Sequence, residues 1–522
     1  MNTTLRRTGP GALQGGTILV VLLLTIIFDR LFWSQAIGLN LLLFTLVVMA
    51  VLPKAGGWRA LSVPARIVGF GLLLSAAMVV VHGSVIAILV TWAALFVFTV
   101  LVHEPAYRSL LYTVPHFAAN LLLVPVEGHA VLNERMKGHR ATRQGWRWLR
   151  LALLPVIIAG VYLLLYRTAN PRFEHLTAGL FNGFFDALWD LLGELFTAHS
   201  IFLFFALLLC GGLVLRTAPR SFVDAEARHP DALLRRRNVR PHWMPALAMN
   251  ALDKERNKGL LLLVLVNALL LVVNVIDIDW LWSGFTVPEG FDLKQFVHEG
   301  TWVLIISILL SMVILFHLFR GNQNFHAKSV WLKRAALLWV VQNAVLGVSV
   351  FLRNYHYIDF HGLAYKRIGV MVFLVLVLVG LATLFHKILH RRSMFTVLRL
   401  NAWALFAVFV LLTTVDWDST IVRYNLHHDN PAEIDIDNYL AMSDKVLPLL
   451  YADLEKVERQ MAKHQQNRVR WVDHLDPESF REELDRKRDR FLRKYEKRDW
   501  RSWTLAHART YGALKGRTPE SE

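Results

Sequence analysis

The feature that most constrains this chain is a series of apolar runs, each long enough to cross a lipid bilayer. Hydrophobic residues make up 55% of its 522 residues, and they are concentrated in runs that no soluble core could bury on all sides. We predict about eleven spans, at roughly 17–33, 36–52, 66–82, 84–102, 148–166, 200–215, 259–279, 300–319, 333–352, 367–386 and 396–415. The expected fold is all-α: a polytopic transmembrane helical bundle with a small helical soluble C-terminal tail.

The distribution of charge predicts how the bundle is oriented. The chain has 57 Lys and Arg against 40 Asp and Glu, but residues 416–522 hold 20 against 21, a net charge of −1. The positive excess therefore lies between the spans, mainly in the N-terminal arm and after spans two, four, six, eight and ten. Since Lys and Arg collect in cytoplasmic loops, we predict a cytoplasmic N-terminus and an extracytoplasmic tail. Nucleic-acid binding, which needs a basic face on a soluble domain, is not expected.

The spans and their connections divide the chain into consecutive parts. These are N-terminal transmembrane helices at 1–127 with an interfacial segment at 105–127, a basic cytoplasmic loop at 128–147, transmembrane helices at 148–215 with an outer amphipathic helix at 172–199, a basic cytoplasmic loop at 216–258, a transmembrane core at 259–415 and an extracytoplasmic helical tail at 416–522. Proline and polar residues interrupt 110–126, so an interfacial or re-entrant helix is favoured there over another span. The basic loops either contact anionic lipids of the inner leaflet or only set the orientation.

Polar side chains at membrane depth are costly and are therefore candidates for function. In spans seven and nine these are Asn267, Asn274, Asp277, Asp279, Gln342 and Asn343. Such amides are typical of interhelical hydrogen bonds, and the alternative is a polar transport pathway. The two carboxylates adjoin tryptophans at the outer end of span seven, where we expect them to be hydrated.

A polar cluster outside the spans is the second candidate site. Its members come from the start of span eight, the connection between spans nine and ten, and the start of the tail: His298, Glu299, Arg353, His356, Asp359, His361, Arg423, Tyr424 and Asn425. The last two segments are both predicted on the outer face and could meet. A hydrogen-bonded cap that ties the tail to the bundle is favoured over a metal site, because no H-x-x-x-H or H-E-x-x-H spacing is present. No metal and no cofactor are predicted.

An acidic stripe marks the predicted outer helix at 172–199. Asn182, Asp186, Asp190 and Glu194 recur every four residues and so share one helical face. A solvated face of an interfacial helix is favoured over a surface that attracts cations.

Catalytic motifs that would identify an enzyme do not occur in the sequence. We find no GxSxG, Walker A, GxGxxG or kinase signature, and the single cysteine, Cys210, lies in an apolar span. An enzyme is therefore not favoured. If the protein acts on a lipid or a lipid-linked sugar, His356, Asp359 and His361 would be its acid–base groups.

Several stretches resemble a family of bacterial membrane proteins. They are VHEG at 297–300, FRG at 319–321, LLWVVQN at 337–343, residues 352–357, GL at 362–363, Arg367, Asp416, IVRYNL at 421–426, IDNYL at 436–440 and DWRSW at 499–503. These are similar to the uncharacterised family called domain of unknown function 4173, with its relative 4153. Ala364 departs from the pattern, where the family commonly has Thr. The resemblance implies a multi-pass protein of the bacterial inner membrane and implies no reaction.

The residues leave more than one function open. The favoured hypothesis is a non-enzymatic envelope sensor, scaffold or assembly factor that binds a partner protein or lipid through its outer loops and tail. The alternative is a transporter or ion-coupled permease that uses the polar residues of spans seven and nine. The expected partners are the lipid bilayer, anionic lipids at the basic loops and an envelope protein at the tail.

Overall fold

The computed structural model describes most of the chain, and what it describes is helical. The described residues are 15–53, 57–135, 197–215, 221–235, 247–283, 293–428, 436–466 and 475–516, with scattered residues between 151 and 193. Among these residues there is no β-strand, and a single antiparallel bridge joins Ala232 to Arg392.

Apolar helices build the body of the molecule. In chain order the helices of the described part up to the tail are α1 (Gly15–Phe32), α2 (Leu39–Val51), α3 (Val63–His82), α4 (Val85–His103), α5 (Thr113–Arg135), α6 (Ala198–Val214), α7 (Ser221–Ala227), α8 (Leu247–Asp277), α9 (Leu293–Leu318), α10 (Val330–His361), α11 (Tyr365–His390), α12 (Met394–Thr413) and α13 (Trp417–His427). A π-helical turn, Ile278–Trp282, continues α8.

Seven of the described helices are long and apolar enough to cross a membrane, namely α3, α4, α8 with its π-helical turn, α9, α10, α11 and α12. Two further apolar helices, α2 and α6, are shorter. The chain is therefore compatible with a multi-pass membrane protein, as the sequence predicts. The number of eleven crossings stays a prediction, and predicted span 148–166 falls almost entirely outside the described residues.

The bundle consists of two halves joined by one helix. Helices α1–α6 pack around one apolar core, which we call the first half-bundle, and α8–α11 pack around another, the second half-bundle. Helix α12 packs against α11 on one side and against α3 and α4 on the other. It approaches α3 closely at Gly71, where an added Cβ would lie 2.7 Å from the Phe406 ring. Helix α12 is therefore the link between the halves.

Local sequence signals set the tight turn between α3 and α4. Ser62 and Ser84 accept hydrogen bonds from the backbone N–H groups of Ala65 and Ala87, so each caps the start of its helix. Gly83 ends α3 in the left-handed conformation (φ 60°), which glycine adopts without steric cost. The two helices therefore reverse direction within two residues and pack side by side.

The connections gather at two opposite ends of the bundle. At one end, which we call the tail end, His82 contacts the Thr414 carbonyl and Leu363 contacts Asn425. At the other, the basic end, Leu233 donates to the Arg391 carbonyl, and Trp403 donates to the Arg108 carbonyl. This segregation is the one that the predicted alternation of the spans requires.

The described part of the tail folds over the tail end, and we call residues 436–466 and 475–516 the roof. It contains α14 (Asn438–Ala441), α15 (Leu447–Ala452), α16 (Leu454–Gln466), α17 (Pro477–Glu496) and α18 (Leu505–Lys515). Tyr439, Leu450, Phe480 and Leu484 are buried in a core that the roof shares with α13. The backbone N–H of Leu39 donates to the Trp503 carbonyl, so the roof also contacts the first half-bundle.

The segment predicted to be interfacial or re-entrant forms part of α5, which continues through Pro125. This helix packs along α4 and α6, and an added Cβ on Gly211 of α6 would lie 2.7 Å from Val124. The interfacial or re-entrant placement of this segment, favoured over a further span, stays a prediction.

A substitution at Gly38 should loosen the roof. An added Cβ there would lie 2.6 Å from the Ser502 carbonyl oxygen, which belongs to the backbone and cannot rotate away. We expect Gly38→Ala to destabilise the docked roof by about 1–3 kcal/mol, as overpacked sites do. Limited proteolysis of the tail in detergent measures this. Gly512→Ala, where nothing lies within 4 Å of the added atom, is the control, and equal protease resistance of the two variants would contradict the prediction.

Candidate functional site

A seam of polar side chains joins α8 to α10 inside the second half-bundle. Asn267 donates to the Ala335 carbonyl, and its side-chain oxygen accepts from Gln342 at 3.1 Å. Asn274 donates to the Gln342 carbonyl at 3.0 Å. Among the described residues Asn343 bonds within α10, to the Trp339 carbonyl. The amides that the sequence singles out in these two spans therefore bind helix to helix, with Asn343 the exception.

A buried ion pair ends this seam near the tail end. The Arg353 guanidinium lies 2.5 Å from Asp277, and the two residues are 8% and 2% exposed. The expectation of a hydrated carboxylate is therefore wrong for Asp277, because the sequence does not reveal an arginine of another helix beside it. Asp279, two residues on, is exposed as expected.

One member of the predicted polar cluster, Asn425, forms a hydrogen-bonded clamp with the turn between α10 and α11. The Asn425 side chain accepts from the Leu363 N–H at 2.6 Å and donates to the Leu363 carbonyl at 2.9 Å. Gly362 (φ 83°) lies so close to Asn425 that an added Cβ would be 2.7 Å from its oxygen. Arg367 donates to the Gly362 carbonyl and lies over the Tyr357 ring. The start of the tail is thereby fixed to the turn between α10 and α11.

The histidines of this cluster are dispersed. His428 contacts Asp359 at 2.8 Å, while His356 contacts the Leu281 carbonyl and the His361 ring lies against Tyr357. Arg423 is exposed and Tyr424 stacks on His428. Among the described residues no three His, Cys, Asp or Glu side chains are grouped to hold a metal ion.

Some predicted site residues cannot be placed. The acidic stripe of Asn182, Asp186, Asp190 and Glu194 lies outside the described residues, as does most of the helix predicted at 172–199. His298 and Glu299 belong to α9, but their side chains lie outside the described part.

A large cleft opens between the two half-bundles, and sequence analysis does not predict it. Its volume is about 1680 Å³. Helices α4 and α11 form its sides, α12 forms the back and residues 110–115 close it toward the basic end. It follows α4 from Val85 to Val97, a length of about 18 Å at 1.5 Å per residue. The cleft therefore runs through more than half of a hydrocarbon layer about 30 Å thick.

The cleft changes from polar to apolar along its length. Apolar side chains line its depth, among them Ile86, Leu89, Val90, Val97, Leu110, Val114, Val372, Phe373, Leu376, Leu405, Phe406 and Phe409. Its polar side chains all lie at the tail end: Ser84, Tyr365, Trp417, Asp418, Asn438, Ser443 and Lys445. The roof supplies the last three of these.

Lys445 is the cation at this polar end. Its ammonium lies 2.7 Å from Asp416 and 3.1 Å from Asp418, and its side chain is only 3% exposed. It also donates to the His82 carbonyl at 3.3 Å, and the Tyr365 hydroxyl donates to Asp418. One buried lysine therefore connects the roof with the ends of α3, α11 and α12.

Sequence reasoning missed the cleft because its walls carry no distinctive residue types. Valine, leucine and phenylalanine face lipid, core and cleft alike. The one usable signal was Lys445, a cation inside the apolar stretch of the predicted tail helix.

Comparison with known proteins places the chain in a family. The family model described as Domain of unknown function (DUF4153) matches residues 15–452, so the chain belongs to this family. The match does not confirm the relationship to family 4173. No curated protein and no solved structure matches the chain.

Separating the buried ion pair should destabilise the second half-bundle. Asp277→Ala alone leaves the Arg353 charge buried without its carboxylate, which costs about 3–5 kcal/mol in comparable sites. Replacing both partners, Asp277→Leu with Arg353→Met, removes both charges and should cost less. Unfolding followed by circular dichroism in detergent measures both variants. If Asp277→Ala were as stable as the wild type, the ion pair would not be important for stability.

Docking of the roof should weaken in acid through His507. Burial, together with Arg498, Lys445 and Lys494 nearby, lowers the pKa of His507 to about 4. Because the folded pKa lies below the ordinary value of 6.5, protonation opposes the docked state. Stability is then lost as the pH falls from about 6.5 toward 4.

The test compares tail proteolysis at pH 7 and pH 5 in the wild type and in His507→Gln. The variant cannot acquire this charge, so its protease resistance should change less between the two pH values. An identical acid response of both proteins would contradict the assignment.

Proposed function

We propose that this member of the DUF4153 family binds a long-chain membrane lipid in the cleft between its half-bundles, with the roof over the lipid headgroup. The observation that carries the proposal is the polarity gradient of the cleft. A ligand that fits it has a long apolar body and one polar end, which is the chemistry of a lipid. A polar solute would leave its hydrogen-bonding groups against an apolar wall.

The size of the cleft supports the same class of ligand. Small-molecule sites commonly measure about 300–1,000 Å³, and the cleft exceeds this range at about 1680 Å³. Its length of about 18 Å suits an extended chain rather than a compact molecule. Its position between two helical units is also where ligand sites of helical proteins commonly occur.

The polar end provides both signs of charge for a headgroup. Lys445 and Asp418 line it together with the hydroxyl groups of Ser84, Ser443 and Tyr365. The ammonium is already bound by two carboxylates, so a headgroup would join an existing network instead of neutralising an isolated charge. Since the roof contributes to this network, lipid occupancy would alter the contacts of the tail. A sensor or scaffold with a lipid-responsive tail is the role that follows.

The location that we propose is a bacterial inner membrane, with the basic end in the cytoplasm. Arg108, Arg228, Arg320 and Arg392 lie in connections of the basic end, which supports this orientation by the distribution of positive charge. The roof would then lie outside the cytoplasm, where an envelope protein could contact it. The basic loops would contact anionic lipids of the inner leaflet.

Transport remains the second candidate, and one observation favours it. The side-chain oxygens of Asn274 and Gln342 are buried and accept no hydrogen bond from the described residues, so they could serve water or a cation within the seam. If the seam conducts a cation, replacing Asn274 or Gln342 by alanine should abolish cation uptake into proteoliposomes. The interhelical bonds of the same residues explain their presence without transport, so binding in the cleft is the favoured function.

The test of the lipid proposal places a bulky side chain inside the cleft. Gly369 lines the cleft, and an added Cβ there meets nothing within 4 Å. We expect the wild type purified in mild detergent to retain lipid, detected by native mass spectrometry, and Gly369→Trp to lose it. Leu269→Trp, on an exposed position of α8 away from the cleft, is the matched control and should retain the lipid.

Two outcomes would reject the proposal. One is equal lipid retention by Gly369→Trp and Leu269→Trp. The other is a wild-type protein that carries no lipid after purification from membranes and gains no thermal stability when lipid is added back.

A further inference from the structure

A second, polar pocket lies at the tail end of the first half-bundle, where α1, α6 and the roof meet. Its volume is about 450 Å³, and it shares no lining residue with the cleft. Helix α1 and the turn after it supply most of the lining, α6 supplies His199, and the roof supplies Arg501. The docked roof therefore contributes one side chain, Arg501, to the pocket.

Two arginines give this pocket a preference for oxyanions. The Arg501 guanidinium donates from Nε and one Nη to Asp499 at 2.8 and 2.9 Å, and from the other Nη to the Arg30 carbonyl. These bonds use three of its five N–H groups and fix its plane, leaving two donors. The Arg30 side chain is exposed and makes no hydrogen bond or ion pair with any residue that the structure describes. A fixed arginine beside an uncommitted one suits the oxygens of a phosphate.

Other lining residues of the pocket suit hydroxyl groups. The Asp29 carboxylate contacts His199 at 2.7 Å, and the His199 ring stacks on Trp33 with centroids 4.3 Å apart. These contacts fix the acid and leave its second oxygen as an acceptor. Ser34 adds a hydroxyl in the left-handed conformation (φ 57°), which is uncommon for residues other than glycine and concentrates at functional sites.

The volume and position of the pocket further limit the classes of ligand that it could bind. A pocket of about 450 Å³ is much larger than a bare phosphate and lies within the range of small-molecule sites. It sits where α1 ends and Trp33 follows; if α1 crosses the membrane as the sequence predicts, this is the depth of lipid headgroups. We propose that this pocket binds a phosphate-bearing polyol, with the phosphate at Arg30 and Arg501 and the hydroxyl groups at Asp29 and Ser34.

Such a group has two sources, and the experiment separates them. Full-length protein is titrated with glycerol 3-phosphate in detergent, and it is also reconstituted in nanodiscs of phosphatidylcholine with or without phosphatidylglycerol. Binding is measured by isothermal titration calorimetry and by native mass spectrometry. Binding in detergent identifies a free polyol phosphate, whereas binding only in the phosphatidylglycerol nanodiscs identifies the lipid headgroup. Either result supports the site.

The variants test whether Arg30 provides the binding. We expect Arg30→Gln to bind at least about tenfold more weakly, because charge-assisted bonds to an oxyanion are the strong class. Arg459→Gln removes the same charge from an arginine that is 74% exposed on the roof, and it should bind like the wild type. Arg30→Lys keeps the charge without the planar fork and should bind with intermediate affinity.

Folding and the cleft are controlled separately. Unfolding temperatures of the variants should match the wild type, since the Arg30 side chain is exposed. Gly369→Trp should leave binding in this pocket unchanged, so failure of the lipid proposal would not affect this one. Absence of binding under all conditions, or equal affinities of Arg30→Gln and Arg459→Gln, would overturn the inference.

Discussion

The interaction on which the arrangement depends is the burial of the Lys445 ammonium between Asp416 and Asp418. A buried lysine is tolerated only where opposite charges and hydrogen bonds replace its water. Here the two carboxylates begin α13, and the third partner is the carbonyl of His82 at the end of α3. In the docked position of the roof this charge is satisfied, and Lys445 lies at the polar end of the cleft.

The cleft can have apolar walls because the polar side chains of α8 bind α10 inside the second half-bundle. In the second half, the Asn267, Asn274 and Asp277 side chains bind α10, so the wall that α11 presents to the cleft can be apolar. In the first half, Gly71 lets α12 approach α3 closely and act as the back wall. Helices α4 and α11 are held at the two sides of α12, and the space between them is left to a ligand.

The sequence predicts where the helices lie better than it predicts which residues of different helices contact each other. Apolar runs near 20 residues locate the helices, since the bilayer sets their length. The sequence predicts a hydrogen-bonded cap between the connection of spans nine and ten and the start of the tail, because both segments are assigned to the same face. It does not predict the clamp of Asn425 with Leu363 itself. Nor does it predict the pair of Asp277 and Arg353, because 76 positions separate the two residues and only the packing of α8 on α10 brings them together.

The cleft and the polar pocket were missed for related reasons. Every valine of α4 has an apolar neighbour in the sequence, whether or not it lines the cleft. The periodicity of apolar residues therefore does not distinguish the valines that line the cleft. Arg501 and Arg30 lie 471 positions apart, and they meet only because the roof folds back on α1. Ligand sites formed between distant segments depend on tertiary packing, which the spacing and periodicity of residues in a single sequence do not reveal.

The most direct measurement is an electron cryomicroscopy map of the protein in nanodiscs of native lipid. The account predicts elongated density between α4 and α11, with its polar end beneath Lys445 and its apolar end toward Leu110. Two results would contradict the account. In one, α4 and α11 pack directly against each other; in the other, the cleft contains no ordered density and the roof is undocked.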